Sequence, residues 1–108
     1  MSEGTGFVVV LVTASDVGEA ESIAATLVEE QLAACVNVIP ACRSIYRWEG
    51  KLQRDDEALM IIKSRRDRFA RLETRVRELH SYDVPEVIAL DIAASSRGYL
   101  EFLFDRLP

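Results

Sequence analysis

The chain carries one histidine, His80, and two cysteines, Cys35 and Cys42. Any Ser-His or Cys-His nucleophile, and any transition-metal centre, must therefore draw on very few side chains. His80 follows a helical pattern and leads into Ser81-Tyr82. It reads in two ways: as a partly buried histidine that stabilises the helix C-terminus as a cation or through a hydrogen bond, or as a metal ligand. A single imidazole holds a metal weakly. A tight site needs three or four converging ligands, here from Cys35, Cys42 or a carboxylate across a subunit interface. The run Asp55-Asp56-Glu57 suggests a hard cation, but on a strand Asp56 points away from the other two, leaving two carboxylates on one face. Calcium wants six to eight oxygens, so a solvated or arginine-paired face is expected. Lys63 continues the odd-numbered parity of Leu59 and Ile61 in an apolar strand. Its ammonium would need a carboxylate, with Glu86 one candidate, or a bound anion. Phosphate-binding, nucleophile-elbow, zinc-protease and CxxC motifs are all absent from the sequence, so the expectation is a protein that is not an enzyme. The one enzymatic alternative uses Lys63, His80 and Tyr82 on a small acidic substrate.

The elements that must position these groups centre on Cys35 to Ser64, read as two long strands turning over at Glu49-Gly50. Arms of roughly 13 residues at about 3.3 Å each could reach roughly 40 Å, beyond a compact domain of this length. Tyr46 and Trp48 share one face near the tip. Such a ribbon leaves aromatics in water, and a second copy of the chain is the simplest cover. Pairing Trp48 with Lys51 places Tyr46 opposite Gln53, Ser44 opposite Asp55 and Val38 opposite Ile61. Pro40, which cannot donate to a ladder, marks an edge, a bulge or a bend.

Around this hairpin, FVVVLVT (7–13) reads as a central strand. Asp16 and Glu19 form a capping box for a helix with an apolar stripe continuing to about Leu32. Ser64 or Asp67 caps a second helix carrying Phe69, Leu72, Val76 and Leu79. Pro85 ends that region, EVIALDI (86–92) is the fourth strand, and Ser95 or Ser96 caps a terminal helix. The order β-α-β-β-α-β plus a helix is a ferredoxin-like α+β arrangement: an antiparallel sheet with a long β-hairpin, helices on one face and a C-terminal helix, all in a single domain spanning 1–108.

Composition narrows the partners. With 108 residues and a net charge of −5, no nucleic-acid or anionic-membrane surface is expected, because the basic run from Lys63 to Arg71 is local and interrupted by Asp67. The polar start MSEGTG and the short longest apolar run point to the cytoplasm. Cys35 and Cys42, about 23 Å apart on a straight strand, are expected to be reduced rather than bridged to each other.

Taken together, VVVLVTASD, EEQLAACVNVIP, SIYRWEGKLQRDDEALMIIKS, LHSYDVPEVIALDI and YLEFL closely resemble the CutA family of divalent-cation tolerance proteins over nearly the whole chain. The resemblance implies ferredoxin-like subunits assembled as homotrimers, with hairpins crossing neighbouring subunits, and an association with copper tolerance. It implies a divalent metal ion, copper, or a small anion as ligand, and no certain cofactor. The ligands proposed in bacterial members correspond here to Val12, Leu79 and His80, so only His80 is retained and metal binding should be weak. The positions matching the family's inter-subunit cleft are Cys35, Tyr46, Trp48, Lys63, His80, Tyr82, Pro85 and Glu86. The trimers also resemble PII signalling proteins, which leaves a regulatory or scaffolding trimer without metal function as the alternative.

Overall fold

The computed structural model describes residues 4–108; Met1–Glu3, part of the polar start used above in placing the protein, lie outside the described residues. The chain runs β1 (Phe7–Ala14), α1 (Val17–Glu29), β2 (Cys35–Trp48), β3 (Lys51–Arg65), a 3-10 turn (Arg66–Arg68), α2 (Phe69–Leu79), β4 (Val87–Asp91) and α3 (Arg97–Arg106). The strands form one sheet in the order β2-β3-β1-β4, antiparallel at every junction. This is the expected ferredoxin-like α+β arrangement with its long hairpin and terminal helix.

The two sides of the sheet differ. Val8, Val10 and Val12 of β1 and Ala58, Met60 and Ile62 of β3 are buried against Ala20, Ile23 and Leu27 of α1 and Leu72 and Val76 of α2. The opposite side carries cross-strand rows such as Asn37–Ile61–Leu11–Ile88 and Cys35–Lys63–Val9–Leu90. At one end α3 covers it, where Phe7, Leu103 and Leu107 cluster and the Phe7 and Phe104 rings meet edge to face at 5.4 Å. Elsewhere it is bare, with Ile88 49% and Leu90 55% exposed. Leu59 and Ile61 therefore belong to this bare side, so Lys63, which shares their parity, sits on an open apolar face rather than in the subunit core.

Four local expectations are corrected. α1 ends at Glu29 rather than near Leu32. Gln31 adopts φ 58°, Leu32 N–H bonds the Leu27 carbonyl and Gln31 N–H bonds that of Val28. This is a Schellman closure, and it delivers Leu32 to the core as the apolar residue after the turn rather than as part of the helix stripe. Neither Ser64 nor Asp67 caps α2, because Ser64 Oγ donates to the Leu32 carbonyl at 2.6 Å and Asp67 accepts from the Arg65 guanidinium. Ser96 holds the N-cap position of α3 without a side-chain cap bond. In the hairpin, Val38 pairs with Met60 and Asn37 with Ile61, because the register shifts between Ile39 and Cys42. Pro40 and Ala41 oppose a single residue there, a bulge that bends the arm where proline's missing donor is harmless. The turn itself is as read: Glu49 and Gly50 both have positive φ, 50° and 76°, the geometry of a two-residue hairpin turn that follows strand twist.

Candidate functional site

At the root of the hairpin, five segments converge on one polar cluster. Glu57 of β3 is buried to 9% exposure, and its carboxylate accepts from Tyr82 Oη at 2.8 Å. The Tyr82 ring tilts against that of His80, centroids 4.7 Å apart. His80 is fixed at both nitrogens: Nε2 lies 2.7 Å from the Thr13 carbonyl, and Nδ1 lies 3.1 Å from the Tyr82 amide. A carbonyl only accepts and an amide N–H only donates, so the network assigns the hydrogen to Nε2 and the lone pair to Nδ1. The His80 side chain thus ties the residue that follows α2 to β1 and to the Tyr82 amide.

Glu19 ties this cluster to α1. Its amide bonds Asp16 Oδ1 as the capping box requires, and one carboxylate oxygen takes the Ser15 amide and hydroxyl. The other takes the Ser81 amide at 2.7 Å. Burial alone would raise the Glu19 pKa, but the hydrogen bonds from Ser15 and Ser81 to the charged form outweigh it and hold the group at about 2. Tyr82 is shifted the opposite way: burial, then its bond to Glu57, pushes the phenol up and keeps it a donor. Farther along the ribbon Tyr46 donates to Asp55, and that bond likewise raises the Tyr46 hydroxyl. Asp56 faces the other way and pairs with Arg43 at 3.2 Å.

The sequence-derived candidates separate into three places. Tyr82 and His80 lie at the hairpin root, with the Tyr46–Asp55 pair farther out along the ribbon. Trp48 is exposed at the tip, opposite Lys51. Cys35 and Lys63 are directly opposite each other at the far end of the bare face, where Lys63 Nζ donates to Asn37 Oδ1. Six residues along β3 separate Lys63 from Glu57, about 20 Å of strand, so one subunit does not bring the two groups together. Asn37, rather than Glu86, is the partner of Lys63; Glu86 precedes β4 at the opposite end of the sheet. Of the positions matching proposed metal ligands, Val12 is fully buried and Leu79 packs on the core. Among the described residues, no three His, Cys, Asp or Glu side chains converge as a metal site. Both cysteines are free and partly buried.

Two members of the cluster escaped the sequence reading. Glu57 was read as part of a solvated or arginine-paired run, and Glu19 only as a cap. The parity that puts Glu57 on the same strand face as Asp55 was available, but nothing local reveals that Tyr82, 25 residues away, covers it.

Comparison with known proteins agrees with the fold and the motifs. The profile of the CutA1 divalent ion tolerance protein matches residues 8–106. The chain is 48% identical over 95 residues to the divalent-cation tolerance protein CutA of Thermus thermophilus, covering 88% of this chain and 92% of that one. A solved Thermus structure superposes with a TM-score of 0.90 at 45% identity, covering 94% of this chain and 99% of that one. The chain is also 48% identical over 96 residues to the chloroplastic CutA of Arabidopsis thaliana, covering 89% of this chain but only 53% of that longer protein. The structure named as the periplasmic divalent cation tolerance protein CutA of Archaeoglobus fulgidus has a TM-score of 0.91 at 34% identity, covering 94% and 99%. With a profile match across nearly its whole length and these identities, the chain belongs to the CutA1 divalent ion tolerance family.

Proposed function

We propose that the protein acts as a homotrimer in the response to divalent metal ions, without catalytic turnover. In this reading its subunit interfaces bind a divalent cation such as copper, weakly, or a small anion. The observation that carries the reading is the bare apolar side of the sheet. Ile88 and Leu90 stand half exposed beside Leu11, Ile39, Leu59 and Ile61, and the side runs out into the ribbon face of Tyr46 and Trp48. A contiguous apolar surface of this kind marks an interaction site. The subunit also exposes 6801 Å², against about 6,000 Å² for a monomer of its mass. Joining subunits through this side puts Tyr46, Tyr82 and the Glu57 carboxylate at the edge of an inter-subunit cleft, with Glu86 nearby. Two reduced thiols fit a cytoplasmic setting, which cell fractionation tests.

A metal-free regulatory or scaffolding trimer is the second reading, and a specific observation favours it. Both nitrogens of His80 are engaged, so a metal could take this ligand only by displacing Thr13 or Tyr82. Titration calorimetry with Cu(II) on the wild type and His80→Ala decides between them. The metal reading expects heat from the wild type that the variant loses; equal heats remove His80 from any site, and no heat from either supports the second reading.

A further inference from the structure

The helix layer carries a groove of its own, on the other side of the sheet from the bare face. One wall is the end of α1, where the left-handed Gln31 turns the chain from Glu30 to Leu32. The other is the side of α2 that presents Ala70, Arg71, Thr74, Arg75 and Glu78 at helical spacing. The space between them is about 400 Å³, within the usual range for small-molecule sites. Leu32 and Ala70 give it apolar surface. Thr74 Oγ donates to the Ala70 carbonyl at 3.0 Å, so the hydroxyl oxygen keeps lone pairs for a ligand's donor.

The charges lining this groove do not pair off evenly. Arg75 holds both oxygens of Glu30, each at 2.9 Å, and reaches one oxygen of Glu78 with its third nitrogen at 3.3 Å. Two carboxylates thus share one guanidinium, and the second oxygen of Glu78 receives no donor. Arg71, at the other end, makes no hydrogen bond or ion pair among the described residues. The lining holds two arginines and two glutamates, so it is neutral in sum but polarised, with an uncompensated cation at one end and an under-compensated anion at the other. Seven residues of helix separate the two ends, about 10 Å. A phosphate would be repelled by Glu30 and Glu78, and a simple amine would leave Arg71 unanswered; a dipolar molecule satisfies both ends.

We propose that the groove binds a small zwitterion whose carboxylate and ammonium are separated by several carbons, the chemistry of an ω-amino acid. The carboxylate lies against Arg71, whose planar guanidinium takes it through paired hydrogen bonds. The ammonium lies against Glu78, with the Thr74 hydroxyl as a second acceptor, and the methylene chain lies over Leu32 and Ala70. Because these residues belong to the helix layer, binding requires neither a metal, nor His80, nor assembly through the bare face. Exposed ion pairs are individually weak, so the expected Kd is millimolar and rises with salt.

Titration of the full chain with ε-aminocaproate, followed through the backbone amide NMR signals of Leu32, Ala70 and Thr74, tests the site. Saturable shifts at millimolar concentration are expected, with caproate and hexylamine, which carry one charged end each, binding about fivefold more weakly or worse. Arg71→Gln and Glu78→Gln should each weaken ε-aminocaproate by a similar factor. Arg71→Gln should leave hexylamine binding unchanged and Glu78→Gln should leave caproate binding unchanged, which separates a lost contact from a disturbed fold; the three probes on the wild type alone keep the test available if a variant fails to fold. Absence of saturable shifts, caproate or hexylamine binding as tightly as the zwitterion, or either variant binding ε-aminocaproate as the wild type does, overturns the proposal.

Discussion

Glu19 links two segments far apart in sequence through one side chain, taking Ser15 with one oxygen and Ser81 with the other. Its pKa of about 2 lies below the ordinary 4.5, so the folded state favours the charged form. The stabilisation is therefore complete above about pH 4.5 and is lost as the pH falls towards 2. Glu19→Gln should lower stability at pH 7 by about 2 kcal/mol, the scale of hydrogen bonds to a charged group. It should also flatten the fall in stability below pH 4.5, as urea unfolding across pH at fixed protein concentration will measure. Tyr82→Phe leaves the buried Glu57 carboxylate without its donor and should lower stability by about 1–3 kcal/mol, measured by the same unfolding. At this scale the sequence was legible where partners are near: Asp16 caps α1 through the Glu19 amide as read, although the Glu19 carboxylate returns to Ser15 rather than to the Asp16 amide. It was opaque where they are distant, as for Glu57 and Tyr82, or for Lys63, whose Asn37 partner becomes adjacent only through the β2–β3 register.

Among the elements, the hairpin declared itself through composition, and its turn followed from Gly50, which takes positive φ without cost, while Glu49 occupies the left-handed region beside it against its preference. The faces of its inner half did not, because a bulge at Pro40-Ala41 moves every pair on that side by one residue. The end of α1 was misread for a related reason. Periodicity registers that Leu32 is apolar, and both a continuing helix and a chain reversal bring it to the core. Gln31 makes the reversal in the left-handed region where glycine is favoured. Gln31→Gly should accordingly raise the thermal midpoint by a few degrees, corresponding to about 0.5–1 kcal/mol, provided the oligomeric state and concentration are unchanged. A fall in the midpoint would mean that the Gln31 side chain contributes more than its backbone strain removes. The basic run behaves as a set of clamps: Arg66 pairs with Asp91, and Arg68 binds the carbonyls of Gln31 and Pro108.

The whole molecule is extended for its length. Its radius of gyration is 14.6 Å and its longest dimension 45 Å, against about 13 Å for the radius of a compact chain of this size. The excess is the hairpin, bare on both faces beyond Ala58. Together with the open side of the sheet, it leaves apolar surface uncovered on the single chain. The candidate groups reflect this, since Cys35 and Lys63 stand at one end of the open side and Tyr82 and His80 beyond the other. The family resemblance supplied these residues as one set, whereas the fold of a single chain divides them. The most direct test is sedimentation equilibrium at micromolar concentration on the wild type and on Leu90→Glu, a carboxylate placed on the bare face. Assembly through that face predicts three times the 12.1 kDa of the chain for the wild type and dissociation for the variant. A wild type sedimenting at 12.1 kDa, or a variant that keeps the wild-type mass, would contradict it.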